Sequence, residues 1–170
     1  IELSKLDEKE GELPLEMVDL YELVQDVCRN LALPAGKKNI SVTVEGSPAN
    51  IRGIRHVLYE MFYNLVDNAV KYNREGGWIK VSLDPGENGP VFTVEDNGIG
   101  IAREEQDRIF ERFYRVDKSH SRKTGGTGLG LSIVKHGAAL HQAEIRLESR
   151  LGEGTKIRIF FKEPEKHPEG

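Results

Sequence analysis

A single cysteine, Cys28, stands among 170 residues. One thiol excludes an internal disulfide framework and any metal site built on several cysteines. Its place in an apolar helical register predicts a buried free thiol rather than a reactive one. Long apolar runs are also missing: none approaches the roughly 20 residues of a membrane span, and no signal peptide is visible. An excess of one charge is lacking too. Charged residues make up 31% of the chain, yet the formal net charge is only -4, which gives no support to nucleic-acid binding. No internal repeat is present. No initiator methionine precedes IELSKLDEKEGEL, so the expectation is a piece of something longer. The length suffices for one domain with a real core.

What is there in abundance is glycine, concentrated in RKTGGTGLGLS (122–132). The stretch sets glycines against the start of an apolar helix, a common way to hold phosphate. Two templates nevertheless fail. A dinucleotide fingerprint needs a third glycine where Leu131 stands, and a Walker loop needs a lysine at that same Leu131. The run before it, RVDKSHSRKT, is polar and basic rather than a buried strand.

Periodicity gives the elements. The opening segment, ending at Gly11 to Pro14, reads as a helix remnant and linker. Asp19 and Glu22 form a capping box ahead of Leu20, Leu23, Val24, Val27 and Leu31, and Pro34 to Gly36 closes that run. ISVTVEG alternates as a strand, a helix covers Ile54 to Tyr72, and WIKVSL and VFTVED form a hairpin across DPGENGP. EEQDRIFERFY reads as a short helix, Leu129 to Leu140 as another, and EIRLES and TKIRIFF as the last strands. Without regular β-α-β alternation, the fold class is α+β, a sandwich with helices on one face.

Two features carry chemistry. On the helix through LYEMFYNLVDNAVKY, Glu60, Asn64, Asp67, Asn68 and Lys71 fall in one arc at about 3.6 residues per turn. Two asparagines one turn apart are poor helix formers. The stripe is either a solvated face or a set suited to a magnesium ion and phosphates. In VFTVEDNGIGI, alternation puts Asp96 on the face of Phe92 and Val94. An inward carboxylate needs donors: either it caps the turn at Asn97-Gly98, or it takes a ligand's amino group, such as that of adenine. Gly98 and Gly100 would then let the backbone pass close to a flat ring.

NLVDNAVKY, DNGIG, FERFYR and GGTGLGLS resemble the N, G1, F and G2 boxes of sensor histidine kinases, in the family's order and spacing. The likeness runs from about Met17 to Phe161, and the wording around the F and G2 boxes is nearest to the phosphate-regulation and cell-wall-control branches. The resemblance implies the Bergerat-type fold shared with gyrase-type ATPases and a chaperone family: a two-layer sandwich, its mixed, mostly antiparallel sheet packed on about three helices, with a flexible ATP lid. It implies ATP and Mg2+ as cofactors. Asp96 would take the adenine amine, with Gly98 and Gly100 of the G1 box, and Ile101 just after it, around the base. Asn64 would ligate magnesium, Asn68 and Lys71 would hold phosphates, and Tyr72 would lie beside the base. Arg115 would meet the terminal phosphate. Gly126, Thr127, Gly128 and Gly130 would turn backbone donors to phosphate, and Leu129 would close over the base. Thr155 would reach adenine through water. Glu60 occupies the place of the water-activating glutamate of gyrase-type ATPases, and either tunes catalysis or is a surface charge. Lys118, Arg122 and Lys123 either meet phosphates or are solvated.

The family phosphorylates a histidine on a preceding helical hairpin. None of His56, His120, His136, His141 and His167 stands in the usual acceptor context, and ELSKLDEKEGEL resembles the end of that hairpin. The implied division is 1–15, hairpin remnant and linker; 16–162, catalytic domain; 163–170, disordered tail. The implied partners are ATP, the hairpin of a homodimeric parent kinase and a response regulator, with no nucleic acid and no direct membrane contact. The domain would be cytoplasmic and its parent anchored in a bacterial membrane. Gln142-Ala143 replaces a usual glycine pair, and Ala102 a common proline. The alternatives are a non-enzymatic ATP-binding regulator and a gyrase-type ATPase of the same superfamily.

Overall fold

The computed structural model describes residues 14–111 and 130–163. Strand β1 (Glu16–Asp19) leads into α1 (Leu20–Asn30), followed by α2 (Ala32–Lys37), β2 (Ser41–Gly46), β3 (Asn50–Gly53) and α3 (Arg55–Lys71). Strands β4 (Trp78–Asp84) and β5 (Val91–Asp96), helix α4 (Gly130–Leu140) and strands β6 (Glu144–Arg150) and β7 (Gly154–Phe160) complete the order. Strands β1 and β3 form a small antiparallel ribbon, and the other five form a sheet in the order β2-β4-β5-β7-β6. Only the β2-β4 pairing is parallel, so the sheet is mixed and mostly antiparallel, as the α+β reading requires.

Register explains where the core lies. Opposed residues share a face, which lines up Val44, Val81, Val94, Ile157 and Leu147 across all five strands. Leu83, Phe92, Ile159 and Ile145 form the next row. Against this face pack the apolar sides of α1, α3 and α4: Leu20, Val24, Val27, Leu58, Met61, Phe62, Leu65 and Val134 are all essentially buried. Phe62 stacks on Phe92 with ring centroids 4.3 Å apart. The half-buried Cys28 thiol is pushed up to about 11 by burial, a value at which little reactive thiolate exists.

Three local expectations need correction. Asp19 does cap α1, accepting from the Tyr21 N–H at 3.0 Å, but the reciprocal half of the box is replaced: Glu22 lies 3.6 Å from Arg55. Pro34 does not end the helical run; it sits third in α2, inside the first turn, whose amides have no intrahelical acceptor to lose. Residues 104–111 form no α-helix either. A single 3-10 turn, Arg103–Glu105, is followed by turns; the rest of the predicted helix lies outside the described residues.

Both ends of α3 are closed by distant side chains. Its N-cap, Ile54, offers no side-chain oxygen. Instead its backbone N–H donates to His141 Nε2 at 3.0 Å, while Nδ1 of that ring lies 2.8 Å from the Gly137 carbonyl. The two contacts fix the neutral tautomer with the proton on Nδ1, and burial lowers the pKa to match. At the other end, Lys38 Nζ donates to the carbonyls of Val70, Lys71 and Asn73 at 2.9, 3.1 and 2.9 Å. A cation is favoured there by the helix dipole and the orphan carbonyls.

Candidate functional site

The inner face of the sheet ends in a row of different character. Beyond Ile79 the register continues through Asp96, Thr155 and Ser149, three half-buried polar residues where the rows beside them are apolar. Asp96 accepts the Gly98 N–H at 2.8 Å, so it does cap the turn that follows. Burial pushes its carboxyl up to about 6, against the pull of donating N–H groups of Gly98 and Thr155. The cap occupies part of the carboxylate's capacity of about four lone-pair sites. The structural role and a ligand role are compatible.

Ser149 was missed in the sequence, although it alternates with Ile145 and Leu147 as Asp96 does with Phe92 and Val94. It joins three segments. Its Oγ lies 2.8 Å from Thr155 Oγ1, accepts the Ile101 N–H at 2.8 Å and donates to the Gly154 carbonyl at 2.9 Å. Gln106 Nε2 bonds the carbonyls of Ile101 and Ser149 at 3.0 and 2.9 Å. The loop after β5 is thereby tied to the β6-β7 hairpin.

The glycines of that loop serve the chain itself. A Cβ on Gly98 would lie 2.5 Å from the Tyr72 carbonyl oxygen and 2.9 Å from Asp96 Oδ1. Gly100, at φ 72°, lies against the Arg150 carbonyl. Both glycines allow a close approach between backbone segments. It docks the loop on the end of α3, with the Ile99 N–H donating to the Tyr72 carbonyl at 3.1 Å. Arg74, also unforeseen, bonds the carbonyls of Gly98 and Gly152 at 3.2 and 3.0 Å.

The polar stripe of α3 is half-buried along its length, at Glu60, Asn64, Asp67, Asn68 and Lys71. Asn64 Nδ2 donates back to the Glu60 carbonyl at 2.7 Å. That leaves Oδ1 toward the start of α4, 3.2 Å from where a Cβ on Gly130 would stand. Lys71 Nζ pairs with Asp67 Oδ2 at 2.9 Å. From Asn64, beside the start of α4, to Tyr72, beside the loop after β5, the helix rises roughly 12 Å, eight residues at about 1.5 Å each. Glu60 lines a cavity of about 500 Å³ with Glu16, Asp26, Arg55 and Tyr59, at the far end of the stripe.

The structure brings Asp96, Gly98, Gly100, Ile101, Tyr72 and Thr155 together at one end, and Asn64 and Gly130 at the other. Asn68 and Lys71 lie between on the same helical face. Arg115, Gly126, Thr127, Gly128 and Leu129 lie outside the described residues, as do Lys118, Arg122 and Lys123. Among the described residues no group of three or more His, Cys, Asp and Glu could hold a metal. No described helix is long and apolar enough to cross a membrane.

Residues 53–165 match the family described as histidine kinase-, DNA gyrase B-, and HSP90-like ATPase. The sensor-like histidine kinase SenX3 of Mycolicibacterium smegmatis is 41% identical over 172 residues, covering 98% of this chain and 44% of that protein. The phosphate regulon sensor protein PhoR of Pseudomonas aeruginosa is 41% identical over 131 residues, 76% of this chain and 29% of that protein. The chain spans less than half the length of these relatives. Among solved structures, the mycobacterial sensor histidine kinase MprB superposes with a TM-score of 0.77 at 28% identity, over 89% of this chain and 100% of that one.

Proposed function

The chain belongs to the histidine kinase-, DNA gyrase B- and HSP90-like ATPases, and from that premise we propose that it binds Mg-ATP as the catalytic domain of a sensor histidine kinase. It would transfer the γ-phosphoryl group to a histidine on a helical-hairpin domain of a homodimeric parent, for relay to a response regulator. The observation that carries the reading is the polar row Asp96-Thr155-Ser149 closing an otherwise apolar sheet face, at the end of a helix striped with carboxamides and a lysine.

The residues suit the nucleotide by their donor sets. Asp96 offers an acceptor to a base amine, and Tyr72 stands beside the loop that frames the base. Lys71 and Asn68 are donors for phosphate oxygens. Lys71 would exchange part of its pairing with Asp67 for them. Asn64 Oδ1 would be one oxygen ligand for magnesium, an ion that takes few protein ligands and fills its shell with phosphate oxygens and water and that would neutralise charge on the transferred group. The N-terminal end of a helix favours phosphate through its dipole and first-turn amides, which suits the start of α4, and Arg115 would offset charge at the terminal phosphate.

The catalytic domain would cover 16–162, with 1–15 the end of the hairpin and linker and 163–170 a tail. It would be a cytoplasmic domain of a membrane-anchored parent. Glu60 would sit near the metal's water shell; unchanged turnover of the intact kinase carrying Glu60→Gln would rule that out. Calorimetric titration of Mg-ATP tests the central reading: the parent chain binds and Asp96→Ala does not. Absence of binding by the parent would overturn it.

A further inference from the structure

We propose that Ser149 is a positioning residue that sets the hydrogen-bond polarity of the base site, making it select a 6-amino over a 6-keto purine. The proposal rests on the reading that the Asp96 end of the sheet holds the base. Ser149 Oγ has one proton and two lone pairs. Three partners surround it: the Ile101 N–H at 2.8 Å, the Gly154 carbonyl at 2.9 Å and Thr155 Oγ1 at 2.8 Å. The Ile101 N–H can only donate and the Gly154 carbonyl can only accept. The single proton of Ser149 therefore goes to Gly154, and the Thr155 hydroxyl must donate its own proton to Ser149. One arrangement alone satisfies all three contacts.

The consequence falls on the site. With its proton turned toward Ser149, Thr155 presents only lone pairs elsewhere. Directly across the ladder stands Asp96, also an acceptor, and Thr155 is half-buried and so reachable. Two acceptors side by side, directly or through one water, match an amine with two N–H groups. They oppose a carbonyl oxygen, which would meet lone pairs on both sides. A site built with fixed polarity rejects the wrong analogue because its polar groups are left unpaired. Loss of the Ser149 hydroxyl would free the Thr155 proton to rotate outward and satisfy a carbonyl.

The test is calorimetric titration of the whole chain with Mg-ATP and with the magnesium complex of inosine triphosphate, whose base carries a 6-keto group. For Ser149→Ala the two affinities should move in opposite directions. ATP should weaken about tenfold, the worth of one hydrogen bond, while inosine triphosphate tightens. Ser149→Thr, which keeps the hydroxyl, should restore the parent preference. Thr155→Val removes both donor and acceptor, so it should weaken ATP without helping the keto analogue. That variant carries the test if Ser149→Ala does not fold. Affinities that move together in Ser149→Ala, or a parent-like preference in Thr155→Val, would overturn the proposal. Failure of the parent to bind ATP would instead overturn the nucleotide reading beneath it.

Discussion

Replacing Lys38 by methionine keeps the aliphatic stem and removes the charge that closes α3. Three donor contacts are lost, to Val70, Lys71 and Asn73. Hydrogen bonds to a charged group contribute about 1.5–3 kcal/mol each when fully desolvated. Lys38 is half-buried, however, and water can reach the released carbonyls, so the sum cannot approach three such terms. A cation at a helix C-terminus contributes about 0.3–1 kcal/mol. A total of about 1–2 kcal/mol follows, which for a chain of this size lowers Tm by roughly 2–8 °C. The loss should be local before it is global. Amide exchange should accelerate at Tyr72 and Asn73, whose N–H groups donate to Asn68 and Val70, and leave the middle of α3 unchanged. ATP should bind more weakly, because Lys71 and Tyr72 ride on the loosened turn. Differential scanning calorimetry and exchange mass spectrometry check both halves. A Tm within 1 °C of the parent together with unaltered exchange at residues 72–73 would refute the reasoning.

Asp96 should give stability a pH slope of unusual sign. Its carboxyl is pushed up to about 6 in the folded chain, against about 3.9 when unfolded. Its contribution is full below about 3.9 and lost as pH rises through about 6. Urea melts of Asp96→Asn across that window should lack this slope. His141 acts in the opposite sense: burial favours its neutral form, so its contribution is full above about 6.5 and lost as pH falls below that value. His141→Phe leaves the Ile54 N–H without an acceptor, which should cost about 1–3 kcal/mol at pH 7 and erase that acid-side loss in chemical denaturation. Gln142 holds φ 54°, a left-handed position that disfavours side chains by about 1–2 kcal/mol. Gln142→Gly should gain about 0.5–1 kcal/mol after the entropy of the added glycine, and a lower Tm would contradict the strain.

What could be read in the sequence was whatever depends on neighbours along the chain. The alternation of Phe92, Val94 and Asp96 gave both strand and inward carboxylate. The angular spacing of Asn64, Asn68 and Lys71 gave the stripe. Ala102, where proline is common, adopts φ -60°, the angle a proline ring would impose, so that departure leaves the turn intact. Gln142, where glycine is common, keeps the turn at the expense of strain. Contacts between distant segments were hidden. The β1-β3 ribbon joins two four-residue strands, each too short for periodicity to register. His141 reaches Ile54 across 87 positions, and Lys38 caps a helix that ends 33 residues later.

Ser149 marks the boundary between the two cases. Its inward orientation follows from alternation in EIRLES as firmly as that of Asp96. Its neighbours do not, because they depend on which strands pair and in what register. A serine facing inward is an ordinary polar residue until Thr155 is known to oppose it and the loop after β5 to fold over it. Only then does the count of protons and lone pairs become restrictive. A ligand-facing group recognises by its own donors and acceptors, but a hydroxyl can do either until a neighbour fixes it. Selectivity at such a site therefore lies as much in the residue that holds the proton as in the one that meets the ligand.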